Sequence, residues 1–365
     1  MIYSIPRLTV LMNSLPSIPG RGSTTNPTNR FMSREVVLDP VEPGFDEDER
    51  PHPSTQFLRD DTQSIIAYNS SPDVGFDASF NVYRGCEHGC AYCFARPTHE
   101  YLGMSAGLDF ETKIVVKERA PEMLRAELSK KSWKPQVLAM SGVTDCYQPV
   151  ERRLGLTRRC VEVLAQFRNP LAIITKNHLV TRDKDLLSEL ARFHAVVVTI
   201  SVTTLDGELA KKLEPRASSP SRRLAAIAEL SQAGIPVQVL MAPVIPGLTD
   251  HEMPKLLEAC AQAGARDAGF VPLRLPWAVA PLFEQWLELH FPERKDKILG
   301  RIREMRGGKL YDARWGVRMS GEGFYAEQMS ALFKVSHRRA GFAQDIAPLS
   351  TASFRVPSAQ LDLFD

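Results

Sequence analysis

Three cysteines stand within eight residues of one another in the stretch NVYRGCEHGCAYCFARPTH, residues 81 to 99: Cys86, Cys90 and Cys93, spaced C-x3-C-x2-C. Thiolates at short fixed spacing hold a metal ion or an iron–sulfur cluster. Four such ligands close a structural zinc or ferredoxin-type site. Three leave one coordination position open, and on a four-iron cluster that position can take the amine and carboxylate of a small molecule. The competing reading is a zinc site with His88 or His99 as fourth ligand. C-x3-C is less typical of zinc than C-x2-C, and no second cysteine pair follows. The remaining cysteines, Cys146, Cys160 and Cys260, are scattered. An extracellular disulfide framework gives no reason for three thiols in one loop, whereas a cytosolic metal or cluster site does.

Elements must exist to hold such a loop. Short β-branched runs alternate with amphipathic helical stretches from residue 79 onward. SFNVY, QVLAMS, LAIIT, AVVVTI, PVQVLM and GFVPL read as buried strands, with helices near 120–131, 155–167, 183–192, 220–233 and 251–264. Leu224, Ile227, Leu230 and Ala233 recur at helical spacing after Ser219-Pro220, an N-cap followed by proline in the first turn, and Gly234 and Pro236 end that helix. Six strand–helix alternations imply parallel strands with right-handed crossovers. Six rather than eight suggests an α/β fold built as a partial, open, TIM-like (β/α)6 barrel. TKIVVK (Thr112 to Lys117) is a further strand-like run outside that count, read as an edge strand or an extended segment. The cysteine loop directly follows the first of the six strands, at the end where β/α barrels carry their chemistry.

The resulting division is an irregular, poorly ordered N-terminal arm over residues 1–65, a core over 66–277, a mainly helical extension over 278–345 and a tail over 346–365. Within the arm, nine Asp/Glu against two Arg between Glu35 and Asp61 read as a solvated acidic segment, while the more basic GRGSTTNPTNRF (Gly20 to Phe31) could dock onto the core. The chain has 365 residues and a net charge of +2, so no global field dictates a nucleic-acid or membrane partner. No apolar run reaches the length of a membrane span. The first twenty residues, broken by prolines, do not read as a secretory signal, which points to the cytoplasm.

The C-x3-C-x2-C loop, with aromatic Tyr92 before the last cysteine, resembles the cluster loop of the radical S-adenosylmethionine (SAM) superfamily. VLAMSGVTDCYQPVE, IITKNHLVTRD, TISVTT, KKLEPRASSPSRRL and MAPVIPGLTD follow in order. Together they resemble a bacterial branch related to spore photoproduct lyase, often labelled DNA-repair photolyase-like. The resemblance covers about residues 75 to 275. It implies a [4Fe-4S] cluster on Cys86, Cys90 and Cys93, with SAM on the fourth iron. It also implies an electron donor such as flavodoxin or ferredoxin, and reductive cleavage of SAM to methionine and a 5′-deoxyadenosyl radical that abstracts hydrogen from substrate. The resemblance does not fix the substrate.

On the same resemblance the other strand ends acquire roles. Ser141, Thr144 and Asp145 in SGVTD fall where the SAM amino group is held, or form a plain polar turn. Lys176 falls where a lysine meets the SAM carboxylate; on an apolar strand it must otherwise run out to solvent. Ser201 and Thr203 fall where ribose hydroxyls are bound. Glu214 and Arg216 in LEPRAS read as a surface ion pair or as pocket-facing, and APVIPG as a turn against which adenine can pack. One departure is chemical: where spore photoproduct lyase has a hydrogen-donor cysteine before the second-strand motif, this chain has AMSG. Cys146, five residues beyond Ser141, reads as a buried, inert thiol or as a redox residue.

Residues 291 to 340 carry 12 Lys/Arg against six Asp/Glu, with Trp315, Phe324, Tyr325 and Phe333 among them. Such a mix suits nucleic acid, with Arg301, Arg303, Arg314, Arg318, Arg338 and Arg339 as phosphate contacts, or a solvated helical face over core aromatics. The expectation is a radical SAM enzyme. Its rival is a non-catalytic zinc or iron–sulfur module that binds nucleic acid.

Overall fold

The computed structural model describes residues 17–32, 54–342 and 346–357. Ten strands lie among the described residues: β1 (Gln56–Arg59), β2 (Ile66–Tyr68), β3 (Ala78–Phe80), β4 (Tyr83–Arg84), β5 (Lys113–Val116), β6 (Leu138–Met140), β7 (Leu171–Thr175), β8 (Val196–Ser201), β9 (Val237–Val244) and β10 (Asp267–Pro272). The main sheet has the order β10-β9-β8-β7-β6-β3-β2. Its six strands from β3 to β10 run parallel and stand side by side in chain order, with β2 antiparallel on the β3 edge. The protein is therefore a mixed α/β fold on a parallel sheet.

The six parallel strands correspond to the six runs read from sequence. The first is shorter than SFNVY: Ala78–Phe80 pairs with β6, while Tyr83 turns away and pairs with β5. TKIVVK is neither an edge strand nor loose. As β5 it is the central strand of a second sheet, parallel to β1 and antiparallel to β4. Local pattern could not reveal this, because both partners lie far off in sequence or are very short.

Crossover helices bury their apolar stripes on the sheet. Leu124 and Leu128 of Ala120–Leu128, Cys160 and Leu164 of Leu156–Phe167, Ile227 and Leu230 of Pro220–Gln232, and Leu256 and Cys260 of Met253–Gln262 share one core with Phe80, Ile173, Val198 and Met241. Each such aliphatic side chain contributes roughly 1.5–3 kcal/mol on burial. Ser219 caps its helix as the sequence suggests, its hydroxyl accepting from the Arg222 amide. The start of the C-terminal extension is helical, as two helices, Val279–His290 and Pro292–Glu304, separated where Phe291 precedes proline. Phe283, Trp286, Leu287, Ile298 and Ile302 of this pair share a second core with Cys90, Ala91 and Tyr92, so the pair buttresses the cysteine loop. Further on, the extension holds a short helix Val317–Ser320 and a 17-residue helix Phe324–Ala340.

Residues 17–32 lie along the core. The Thr25 carbonyl accepts from the Leu108 amide at 3.1 Å, the Ser105 hydroxyl donates to the Pro27 carbonyl at 2.7 Å, and the Asn29 amide group donates to the Glu100 carbonyl at 2.8 Å. Two glycines permit this approach. A Cβ at Gly22 would stand 1.7 Å from the Gly89 carbonyl oxygen, and one at Gly107 would stand 1.9 Å from that of Thr25. Most of the acidic segment read from sequence lies outside the described residues.

Candidate active site

The cysteine loop leaves β4 through Gly85, whose φ of +78° suits glycine. Its path is pinned from two sides. The Gly85 carbonyl accepts from the Thr144 hydroxyl at 2.6 Å and from the Gln148 side chain at 3.2 Å, while Gln148 accepts from the Glu87 amide at 2.8 Å. From the other side, Arg96 is fully buried. Its guanidinium donates to the Cys90 carbonyl at 2.8 and 3.0 Å, to the Gly107 carbonyl at 3.0 Å and to Glu111 at 2.5 Å. Glu111 also accepts from the Gly22 amide at 3.1 Å, so the arm, Arg96 and the loop share one anchor. Burial of Arg96 is tolerable because its donors meet the carboxylate and three backbone carbonyls, those of Cys90, Ala106 and Gly107.

Cys86 and Cys90 are buried and Cys93 is partly exposed. Burial pushes the Cys90 thiol well above its ordinary value. Glu214, Cys93 and Cys86 add to that rise, and Lys176 opposes it. Burial and then Cys86 push Cys93 up to about 11, against the pull of Arg96. The three sulfurs thus feel one another: as thiolates they repel, and a bound cationic centre relieves that repulsion. The donor set fits a cluster held by three cysteines. Among the described residues no group of three or more His, Cys, Asp or Glu, the three cysteines included, stands in a metal-holding arrangement. Neither histidine weighed as a zinc ligand is idle. His88 sits between Asp145 (Nδ1 to Oδ2, 3.4 Å) and the Asn177 amide nitrogen (3.0 Å from Nε2), and His99 Nε2 lies 2.9 Å from the Lys113 carbonyl.

The ends of β6, β7, β8 and β9 meet beside this loop. Ser141 follows β6 with φ of +86°, and its hydroxyl accepts from the Cys146 amide at 3.1 Å. Thr144 and Asp145 face inward. Asp145 accepts from the Lys176 amide (2.8 Å), the Thr175 hydroxyl (2.7 Å) and the Tyr147 amide (2.9 Å), which tethers the turn after β6 to the end of β7. Burial alone would raise its pKa, but His88 and these donors hold it below the ordinary carboxylate range. Lys176 does not run out to solvent. Its ammonium donates to the Ala242 carbonyl at 2.9 Å, lies 3.3 Å from Glu214 and stands 5.7 Å from the centre of the Tyr92 ring.

Glu214 is the centre of this group. It is buried and accepts from the Thr203 hydroxyl at 2.7 Å, from the Tyr92 hydroxyl and from the guanidinium of Arg223. Burial would push its pKa up, yet Arg223 and then Lys176 outweigh that and hold it well below the ordinary value. The surface pair Glu214–Arg216 does not form. Arg216 instead meets Glu87 at 2.9 Å, and Arg223 is the partner of Glu214. Arg223 also donates to the carbonyls of Ser201 (3.1 Å) and Ser218 (2.8 Å). Ser201 is buried at the end of β8. Tyr92, Lys176 and Thr203 are thus brought together, Ser201 is joined to them through Arg223, and Ser141, Thr144 and Asp145 form the adjacent turn. APVIPG is not wholly a turn, since β9 runs through Val244. Cys146 is 1% exposed and burial pushes its thiol well up, as befits an inert thiol.

Arg96, Glu111, Gln148 and Arg223 are not singled out by the sequence reading. Arg223 carries a signal nonetheless: it stands four residues before Ile227 and seven before Leu230, on the apolar stripe of its helix. The six C-terminal arginines fit a phosphate-binding surface less well than their composition suggests. Arg314 pairs with Asp312 at 2.7 Å and with Glu322 at 2.8 Å, and Arg318 pairs with Asp73. Arg301 and Arg303 each lie 3.9 Å from a carboxylate. Arg338 and Arg339 sit in the last turn of their helix, where the dipole favours cations.

A family model of the radical SAM superfamily matches residues 80–260. Uncharacterised proteins of Mycobacterium bovis and Mycobacterium tuberculosis are each 38% identical over 244 residues, 66% of this chain and 71% of theirs. One of Methanocaldococcus jannaschii is 32% identical over 172 residues, 47% of this chain and 62% of its own. Among solved structures, a cysteine-to-serine mutant of spore photoproduct lyase aligns over 78% of both chains with a TM-score of 0.53 at 18% identity. A double mutant of the same enzyme, solved with bound AdoMet and dinucleoside spore photoproduct, aligns with a TM-score of 0.51 at 16% identity over 78% of this chain and 77% of that one. These likenesses are of fold. No helix among the described residues is long and apolar enough to cross a membrane. With its family match and its mycobacterial relatives, the chain belongs to the radical SAM superfamily of enzymes.

Proposed function

We propose that this enzyme holds a [4Fe-4S] cluster on Cys86, Cys90 and Cys93 and binds SAM across the ends of β6 to β9. The carrying observation is that Tyr92, between Cys90 and Cys93, donates its hydroxyl to Glu214 and has it 3.2 Å from the Thr203 hydroxyl, with the Lys176 ammonium 5.7 Å from its ring, which supports reading the cysteine loop and the polar strand ends as one site. When bound, the cluster and SAM supply one-electron reductive cleavage of SAM and hydrogen abstraction from substrate, with electrons from an external donor such as flavodoxin or ferredoxin.

The chain's own residues divide the remaining work. Thr144 and Asp145 act by position, tying the loop and the end of β7, while Ser141 and the turn it opens present backbone carbonyls to the SAM amino group. Lys176 faces the SAM carboxylate, with Glu214 and Tyr92 setting where its ammonium points. Ser201 and Thr203 offer hydroxyls to the ribose. We further infer that the six parallel strands curve as a partial (β/α)6 barrel whose mouth is this site, in keeping with the chemistry of such folds at their strand ends.

Anaerobic reconstitution tests the reading. The protein should take up about four irons with matching sulfide, as a four-iron cluster requires. Alanine at Cys86, Cys90 or Cys93 should abolish the cluster absorbance, whereas alanine at Cys160 or Cys260 should leave it. Reduced protein should release 5′-deoxyadenosine from SAM. Stoichiometric zinc without sulfide, or a reconstituted cluster that never cleaves SAM, would instead favour the non-catalytic module.

A further inference from the structure

Beside the cysteine loop the surface carries a belt of rings and guanidinium groups that the cofactor reading leaves unused. Phe94, directly after Cys93, is 49% exposed, and the guanidinium of Arg274, just beyond β10, stacks 4.5 Å from its centre. Three residues on, Trp277 is 58% exposed and holds φ of +45°. A bulky residue in the left-handed region is costly, and so is an indole in water. Tyr311 lies 6.0 Å from the Trp277 ring on one side. On the other, Arg30 of the docked arm stands 4.1 Å over Trp277, 4.6 Å over Phe31 and 5.5 Å over Tyr101. The belt thus consists of two ring–cation groups, Phe94 with Arg274 and Trp277 with Arg30, Phe31 and Tyr101, joined by the three-residue step from Arg274 to Trp277.

Its cations differ in their partners. Arg30 is matched by Glu100 at 3.2 Å. Arg274 has no carboxylate partner among the described residues; its one hydrogen bond there goes to the thioether of Met319 at 3.2 Å. A half-buried guanidinium satisfied only by sulfur and a ring face retains most of its capacity for an anion. Its stack on Phe94, the residue after Cys93, places it at the edge of the proposed site.

We propose that this belt binds single-stranded nucleic acid, with bases stacked on Phe94 and Trp277 and a phosphate on Arg274, so that one nucleotide is presented to the site. The proposal rests on the radical SAM reading only for what happens to that nucleotide; the binding itself does not need it. The features are those of sequence-tolerant single-strand sites, exposed rings for π-faces and interleaved cations for the backbone. A protein partner would also use Trp, Tyr and Arg, but it would supply a carboxylate or a dry pocket rather than a strongly salt-dependent contact.

The test is fluorescence anisotropy of the full-length protein with short labelled oligothymidylate, oligouridylate and the duplex of the former with oligoadenylate, across a salt series. Both single strands, or one of them, should bind more tightly than the duplex. Trp277→Asn suits the left-handed backbone while removing the stack. It and Phe94→Ala should each weaken binding roughly 5- to 150-fold, the range seen for loss of one base–aromatic stack. Arg274→Gln should reduce the log–log salt slope by about 0.7. Arg314→Gln, which removes a cation already paired with two carboxylates, should bind as the parent does. Preference for DNA or RNA between the two single strands identifies the source of the nucleotide. Absence of binding, preference for duplex, or unchanged affinity in Trp277→Asn and Arg274→Gln would overturn the proposal. SAM cleavage without oligonucleotide, measured on the same samples, shows separately whether the radical SAM reading stands.

Discussion

Replacing Glu214 by glutamine keeps the shape of the side chain and removes the charge at the centre of the site. Glu214 is buried, and four donors converge on it: the guanidinium of Arg223, the Lys176 ammonium at 3.3 Å, the Thr203 hydroxyl at 2.7 Å and the Tyr92 hydroxyl. Arg223 is itself fully buried, so Glu214→Gln leaves a cation without solvent or counter-charge and turns an amide NH2 toward other donors. Breaking a buried pair from one side costs about 3–5 kcal/mol. At about 2 °C per kcal/mol for a chain of this size, the melting temperature should fall by roughly 6–10 °C at neutral pH. The pH dependence has a definite sign. A carboxyl held below its ordinary value of 4.5 contributes stability that is complete above that value and is lost as the pH falls through the folded-state pKa. The gap between parent and variant should therefore be constant from neutrality down to about 4.5 and shrink in stronger acid. Adding Arg223→Met to Glu214→Gln should restore part of the loss, since the stranded cation is then gone. A thermal melt of Glu214→Gln within about 1 °C of the parent at neutral pH would refute the account of this centre.

Two further perturbations probe the parts around it. Lys176→Ala should keep the cluster absorbance but weaken SAM binding by about 1.5–3 kcal/mol, the worth of a charge-assisted contact, or roughly 10- to 150-fold in Kd by equilibrium dialysis; unchanged affinity would place Lys176 in a structural role alone. Gly22→Ala drives a Cβ to 1.7 Å from the Gly89 carbonyl oxygen, so the arm should lift from the loop at an overpacking cost of about 1–3 kcal/mol. Limited trypsin digestion should then cut at Arg30 faster than in the parent, and equal cleavage rates would show that the arm tolerates the added carbon.

How much of this was legible in the sequence depended on whether the physical cause was local. The six parallel strands could be read because each lies in a short apolar run, β-branched in Leu171–Thr175 and Val196–Ser201, and most are followed by a helix with its own stripe and stop signals. The role of β5 could not, because a central position in a sheet is decided by partners, and one of these is the two-residue β4. The cysteines declared themselves by spacing alone. Glu214 did not, since LEPRAS offers Arg216 two residues on, while the true partner, Arg223, is nine residues away across a turn and a helix start. The C-terminal arginines misled for the same reason in reverse. Counted along the chain they look like an unbalanced basic surface, but Asp73, Asp250, Asp312, Glu284 and Glu322 come to four of them in the fold.

The arrangement of supports also bears on what the cysteine loop would owe to the proposed cluster. In small zinc domains the ligands carry the fold, so metal loss is unfolding. Here the loop is held by contacts that need no metal. Arg96 takes the Cys90 carbonyl, Thr144 and Gln148 take that of Gly85, the Cys86 amide donates to the Phe110 carbonyl at 2.9 Å, and the Ala91 amide donates to that of Leu213 at 2.9 Å. These partners come from the turn after β6, the segment after Cys93 and the helix Gly207–Leu213, so a shift in any one is resisted by the others. Backbone carbonyls and amides rather than thiols take most of the protein's grip on the loop, and that leaves the three sulfurs to be shaped by what they bind. A loop built this way is suited to a site whose fourth coordination position must stay open and in register with Lys176 and Glu214. Its stability comes from the surrounding polar anchors, and on the proposed cluster reading its chemistry is left to three thiolates that would repel one another without a cationic core.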